Sequence, residues 1–61
     1  MNMIRYYREY YGISQRQLSR QAKISHVEIY YIEAGKRIPS VFIAIRIAKA
    51  LNVPVEGLFI E

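Results

Sequence analysis

The stretch SQRQLSRQAKISHVEIYYIE, residues 14–33, decides how the rest of the chain is read. Ser14 followed by Gln17 forms an S-x-x-Q capping box: the serine oxygen accepts from the third helical N–H, and the glutamine reaches back to the serine's own N–H. Ser25 followed by Glu28 repeats the arrangement eleven residues later. Two such boxes at that separation leave room for two turns of helix and a tight corner. They predict helices over Gln15–Ala22 and His26–Glu33, the outline of a helix-turn-helix. In the first, Leu18 and Ala22 lie on the inner side, with the small Ser19 beside them where another helix can cross closely. In the second the inner stripe is Ile29 and Ile32, continued backward by Ile24. That leaves His26, Val27, Tyr30 and Tyr31 turned away from the core. Exposed apolar and aromatic side chains are more informative than exposed charges, so this face is the first candidate for binding. Lys23 alone argues against the motif. A corner this tight wants a residue at positive φ, where lysine is strained by on the order of 1 kcal/mol relative to glycine.

Outward from this core stretch the chain remains helical. Ile4, Tyr7 and Tyr11 share one stripe of a first helix that Gly12 terminates, with Ile13 folding back on its last turn. After Glu33, Gly35 closes the second motif helix and the loop Lys36-Arg37-Ile38-Pro39 follows. Pro39 keeps its predecessor out of helical angles, and Ser40 caps a helix over Val41–Leu51. The inner stripe of that helix is Val41, Ala44, Ile47, Ala48 and Leu51. Asn52 and Val53 turn the chain, and Val55–Leu58 has room for one short turn of helix. The expected architecture is all-α, five helices in one domain over residues 1–61.

Sixty-one residues bury a small core, so stability of a few kcal/mol is expected and a partner subunit can matter. Nine Lys and Arg against five Asp and Glu give a formal charge of +4 and a sequence pI near 9.7, a balance suited to a polyanion. The lack of cysteine removes disulfides and thiolate metal sites and fits a reducing compartment. The longest wholly apolar run, Val41 to Ile45, is too short for a membrane span, so a cytoplasmic location is expected. One histidine without cysteine does not make a zinc site, and the five acids are not paired at catalytic spacing. The isolated glycines make no phosphate-cradling loop. No enzymatic activity, cofactor, metal or small-molecule ligand is therefore expected. The tyrosines of the first helix, Tyr6, Tyr7, Tyr10 and Tyr11, read as core and amphipathic surface in preference to a single-strand stacking platform.

Ile13-Ser14-Gln15, Leu18, Ala22, Ile24-Ser25, Ile29, Ile32-Glu33, Gly35-Lys36-Arg37, Pro39-Ser40, Ile47 to Leu51 and Leu58-Phe59 together resemble the Cro and lambda-repressor-like, or XRE-type, helix-turn-helix family. The resemblance spans nearly the whole chain and includes the G-K-R-x-P-S loop. It implies a compact five-helix lambda-repressor-like bundle that binds operator DNA with helix 3 in the major groove. It also implies an ion pair between Arg8 and Glu33. The chain departs from the family at Lys23, where glycine is usual, at Phe42, where a charge is common, and at His26 and Val27.

On this reading positioning and base reading are separate tasks. The helix N-termini at Ser14-Gln15 and at Ser40, with Lys36 and Arg37 as mobile cations, contact phosphates. His26, Val27 and Tyr31 read bases: His26 toward guanine, Val27 toward a thymine methyl, Tyr31 toward a base or phosphate. Glu28 is assigned to its cap in preference to a base. One such domain covers half an operator, so a homodimer is expected, with half-sites about 34 Å apart. The surplus apolar residues Phe42, Ile43, Ile45, Leu58, Phe59 and Ile60 divide between a dimer interface and extra cover for the core. The function expected is sequence-specific duplex DNA binding by a transcriptional regulator, a repressor before an activator. The alternatives are an antitoxin-like or adaptor module that meets a protein through helix 3, and a structural bundle without a ligand.

Overall fold

The computed structural model describes residues 2–59. Its elements are α1 (Ile4–Tyr11), α2 (Gln15–Ala22), α3 (His26–Glu33), α4 (Val41–Leu51) and the single turn α5 (Val55–Leu58). Each boundary has a local cause. At α2 the capping box is complete: the Gln17 N–H donates to Ser14 Oγ at 3.0 Å, and the Ser14 N–H donates to Gln17 Oε1 at 2.7 Å. Ser25 and Ser40 accept from the third helical N–H of α3 and α4. Gly12 and Asn52 end α1 and α4 in the left-handed conformation, where the last carbonyls find donors beyond the helix. The first helix, whose preceding residue Met3 offers no side-chain cap, is served instead by Asn2. The Asn2 Oδ1 accepts from the Ile4 N–H, and its amide donates to the Ile32 carbonyl at 2.8 Å, tying the start of α1 to the end of α3.

The helices enclose one core of Ile4, Leu18, Ala22, Ile29, Ile32, Ile47, Ala48, Leu51 and Leu58. Tyr7, Ile13, Ile24, Ile43, Val53, Val55 and Phe59 pack around its edge. α2 packs on both α3 and α4, and Ser19, buried without a large side chain, permits that close approach. Its hydroxyl is satisfied by donating to the Arg16 carbonyl at 2.7 Å.

One expectation about the stripes is corrected, and one alternative left open for Leu58 is decided. Val41 is 71% exposed and is not part of the core, since at the first position of α4 it faces an open groove. Leu58 is fully buried and joins the core, because α5 folds back so that the Leu58 carbonyl accepts from the Met3 N–H at 2.7 Å. A side chain in that position is closed to a partner subunit.

Lys23 does take the left-handed conformation, with φ 59° and ψ 45°. The corner is held from outside the motif: Arg46 of α4 donates through Nε to the Ala22 carbonyl at 3.0 Å and through a second nitrogen to the Lys23 carbonyl. A charged donor thus satisfies carbonyls that α2 leaves open at its end. Lys23→Gly is expected to stabilise the domain by up to about 1 kcal/mol, because relief of the left-handed strain outweighs the added freedom of the unfolded chain. A rise of a few degrees in melting temperature is the corresponding readout at about 4–8 °C per kcal/mol. Lys23→Val should lower it, and a glycine variant melting below the wild type would contradict the strain account.

Candidate nucleic-acid interface

α3 is apolar on both sides. Ile29 and Ile32 fill the core, while Val27, Tyr30 and Tyr31 remain 57%, 53% and 36% exposed. His26 is half-buried at the helix start. Among the expected base readers, Val27 and Tyr31 therefore lie on the outer face, one helical turn apart, with His26 at its edge. The rings of Tyr30 and Tyr31 meet edge to face, centroids 5.5 Å apart, which limits the motion of both.

Arg8 and Glu33 anchor this helix from behind. Arg8 Nε donates to Glu33 Oε2 at 2.7 Å and Nη2 donates to Oε1 at 3.1 Å, a two-pronged pair. A third donor, Nη1, reaches the Ile13 carbonyl at 3.0 Å. The two side chains are only 12% and 6% exposed. Hydrogen bonding to Glu33 raises the Arg8 pKa by more than burial lowers it, and the charges of Glu33 and Glu9 add to the rise. Gln15 joins the same carboxylate, donating from Nε2 to Glu33 Oε1 at 3.2 Å. The start of α2 is thereby fixed to the end of α3. Its side chain is engaged inward, so what Gln15 offers a phosphate is its backbone N–H at the first turn of the helix.

Glu28 departs from expectation. Ser25 Oγ does accept from the Glu28 N–H at 3.0 Å, but the returning half of the box is missing. The Glu28 carboxylate is ion-paired with Arg37 instead, and the Arg37 guanidinium carbon also stands 5.3 Å from the centre of the Tyr31 ring. A charged partner offers a carboxylate more than a single backbone N–H does. Of the two loop cations, then, Lys36 makes no ion pair among the described residues, whereas Arg37 is folded onto α3. Arg16, in the first turn of α2, is exposed and likewise has no carboxylate partner among the described residues. Sequence reasoning passed over it, although its place beside the Ser14 cap puts a cation where α2 already favours an anion.

The surplus apolar residues separate into three groups. Leu58 is core, as described; Ile43 and Phe59 are half-buried against the core; Phe42 and Ile45 are exposed. Ile60 lies outside the described residues. Ile45 and Phe59 line an open, almost wholly apolar groove of about 260 Å³ with Ile38, Pro39, Val41, Ala44 and Val55. Ile38 is 93% exposed there, a large apolar residue presented to water beside an unfilled groove. Among the described residues no group of acids and histidine is placed to hold a metal ion, and no helix is long and apolar enough to cross a membrane.

With this geometry in hand, comparison with known proteins is specific. A helix-turn-helix family model matches residues 4–58. An uncharacterized HTH-type transcriptional regulator of Methanocaldococcus jannaschii is 37% identical over 59 residues, spanning 97% of this chain and 89% of the relative. A second such regulator, from Archaeoglobus fulgidus, is 37% identical over 57 residues, 93% and 81% of the two chains. The crystal structure of the restriction-modification controller protein C.AhdI from Aeromonas hydrophila superposes with a TM-score of 0.88 at 27% identity, covering 92% of this chain and 85% of that one. The five-helix fold is thus a shared one, and the chain belongs to the helix-turn-helix family of transcriptional regulators.

Proposed function

We propose that this protein regulates transcription by binding duplex DNA sequence-specifically as a homodimer, with α3 in the major groove. The observation that carries the reading is the outer face of α3, where Val27 and Tyr31 are exposed on a helix fixed from behind by Arg8 and Glu33. Val27 suits a thymine methyl, His26 suits the guanine acceptors, and Tyr31 reaches one turn further along the groove. Phosphates on either side are met by the helix starts at Ser14-Gln15 and Ser40 and by Lys36, whereas Arg37, paired with Glu28, adds little net charge to the same face. Similarity to a restriction-modification controller supports transcriptional control as the use of such binding. Repression by occupying an operator requires nothing beyond the binding itself, and we favour it over activation. The reading assigns a binding role with no catalytic step, in the cytoplasm where such an operator would lie. A protein-docking role for α3 has less support, since the cationic loop and helix starts beside it suit a polyanion.

Selection from a random duplex library, followed by gel shift with competitor DNA, tests the proposal. Replacing His26 or Tyr31 by alanine should change which sequence is preferred. Lys36→Ala should instead weaken binding on every sequence and flatten the slope of log affinity against log salt by about 1. Unchanged preference in both alanine variants would remove α3 from the reading role.

A further inference from the structure

α3 contains neither arginine nor lysine, yet a guanidinium lies on it. Arg37, from the loop that follows, is ion-paired through Nη1 to Glu28 Oε1 and stands 5.3 Å from the Tyr31 ring centre. Glu28 and Tyr31 are three residues apart and so share one helical face. The Arg37 side chain is still 54% exposed. A guanidinium has five N–H donors in a rigid fork, and the contact to Glu28 occupies one edge of it. The rest stays accessible beside Tyr31, itself on the outer face.

Two features make this arrangement a poor phosphate anchor. The adjacent carboxylate cancels most of the cation's charge, and bringing that carboxylate near a phosphate is repulsive. A stacked and paired arginine has also lost the mobility that lets a loop cation follow the backbone. The same features suit a base edge. Guanine presents N7 and O6 as two acceptors matched to the arginine fork, and its partner cytosine presents an amino donor that a carboxylate tolerates.

Resting on the DNA-binding role proposed above, we infer that Arg37 is a specificity-determining residue that reads a guanine in the major groove, with Glu28 and Tyr31 as positioning residues that hold its fork. The loop thus supplies the arginine that α3 lacks. Lysine at this position keeps the charge but neither the fork nor the stacking.

Library selection with the wild-type domain, Arg37→Lys and Glu28→Gln decides it, with far-UV circular dichroism and melting curves to show that all three are folded. The wild-type motif should contain a guanine preferred over other bases by roughly ten-fold or more, as one bidentate contact provides. In Arg37→Lys that preference should vanish while the salt slope is kept. Glu28→Gln should separate affinity from specificity: tighter binding to all duplexes, because a negative charge is gone, with weaker discrimination at the same base pair. An Arg37→Lys variant that keeps the whole motif overturns the assignment and leaves Arg37 a phosphate contact. A Glu28→Gln variant with undiminished discrimination overturns the positioning role. A wild-type domain that enriches no sequence overturns both this inference and the DNA-binding reading beneath it.

Discussion

Arg8→Ala is expected to destabilise the domain by roughly 3–5 kcal/mol, the usual cost of stripping one partner from a buried, hydrogen-bonded ion pair. A domain of this size has about 3–9 kcal/mol in total, so the variant should be largely unfolded near its working temperature. The loss is large because Glu33 is only 6% exposed and keeps just one donor, the amide of Gln15, when Arg8 is gone. The Ile13 carbonyl loses its donor as well. Since Glu33 raises the Arg8 pKa, the stabilisation from this group is fully present below the ordinary arginine value. It fades only as pH rises through the elevated one, so the deficit of the variant should not depend on pH across the physiological range. Urea unfolding followed by circular dichroism measures it, and a variant within error of the wild type would refute the account. The double variant Arg8→Met, Glu33→Met supplies the control: removing both charges together should restore most of the loss, because what costs energy is the charge left behind.

That ion pair also marks where sequence reading stops. The helices were legible because their signals are local: serine oxygens at Ser14, Ser25 and Ser40 within reach of N–H groups three residues on, and turn residues at Gly12 and Asn52, while the left-handed corner at Lys23 forms against the preference of its residue. Only the resemblance, and nothing in spacing, suggested that Arg8 meets a residue twenty-five positions away. Local rules failed where a long side chain had a choice. Glu28 fits a capping box as well as Gln17 does by spacing, yet Arg37, nine residues on, takes its carboxylate. Arg46 lies in a helix whose other residues, apart from Lys49, are apolar, and its partners are the carbonyls of Ala22 and Lys23; those carbonyls become reachable only once α4 packs on α2. The same holds for Leu58 and Val41. Val41 satisfies the apolar periodicity and Leu58 is a surplus apolar residue, but burial at a helix end is decided by which neighbour crosses there: α5 tucks Leu58 inward, and Val41 overhangs a groove. Composition identified a basic, binding-type domain without telling which cations are committed. The three ion pairs among the described residues take Arg5, Arg8 and Arg37, which leaves Arg16 of α2 and Lys36 of the loop without a carboxylate partner.

A dimer formed through the groove would bear on affinity more than any single DNA contact does. Ile38, Val41 and Ile45 expose apolar surface around it, and covering that surface with a second copy would join two reading heads. Once one half of a dimer is seated, the other meets its half-site at an effective concentration set by the dimer and not by the solution. Such linkage adds about 100- to 10,000-fold to overall affinity. Ile45→Lys is expected to forfeit most of that gain. Lysine is a good helix former, and at a side chain already 37% exposed it should leave the monomer folded. In a two-fold interface each copy would instead press an ammonium into apolar surface. The added positive charge also means that weaker binding cannot be laid to weaker attraction for phosphate. Affinity for a two-half-site operator should therefore fall by about 100-fold or more, while affinity for an isolated half-site stays level or rises slightly. Sedimentation at micromolar concentration should show dimer for the wild type and monomer for the variant. A wild-type monomer under those conditions, or an Ile45→Lys variant that still binds the full operator as tightly, would mean that the groove serves something other than a second copy of this chain.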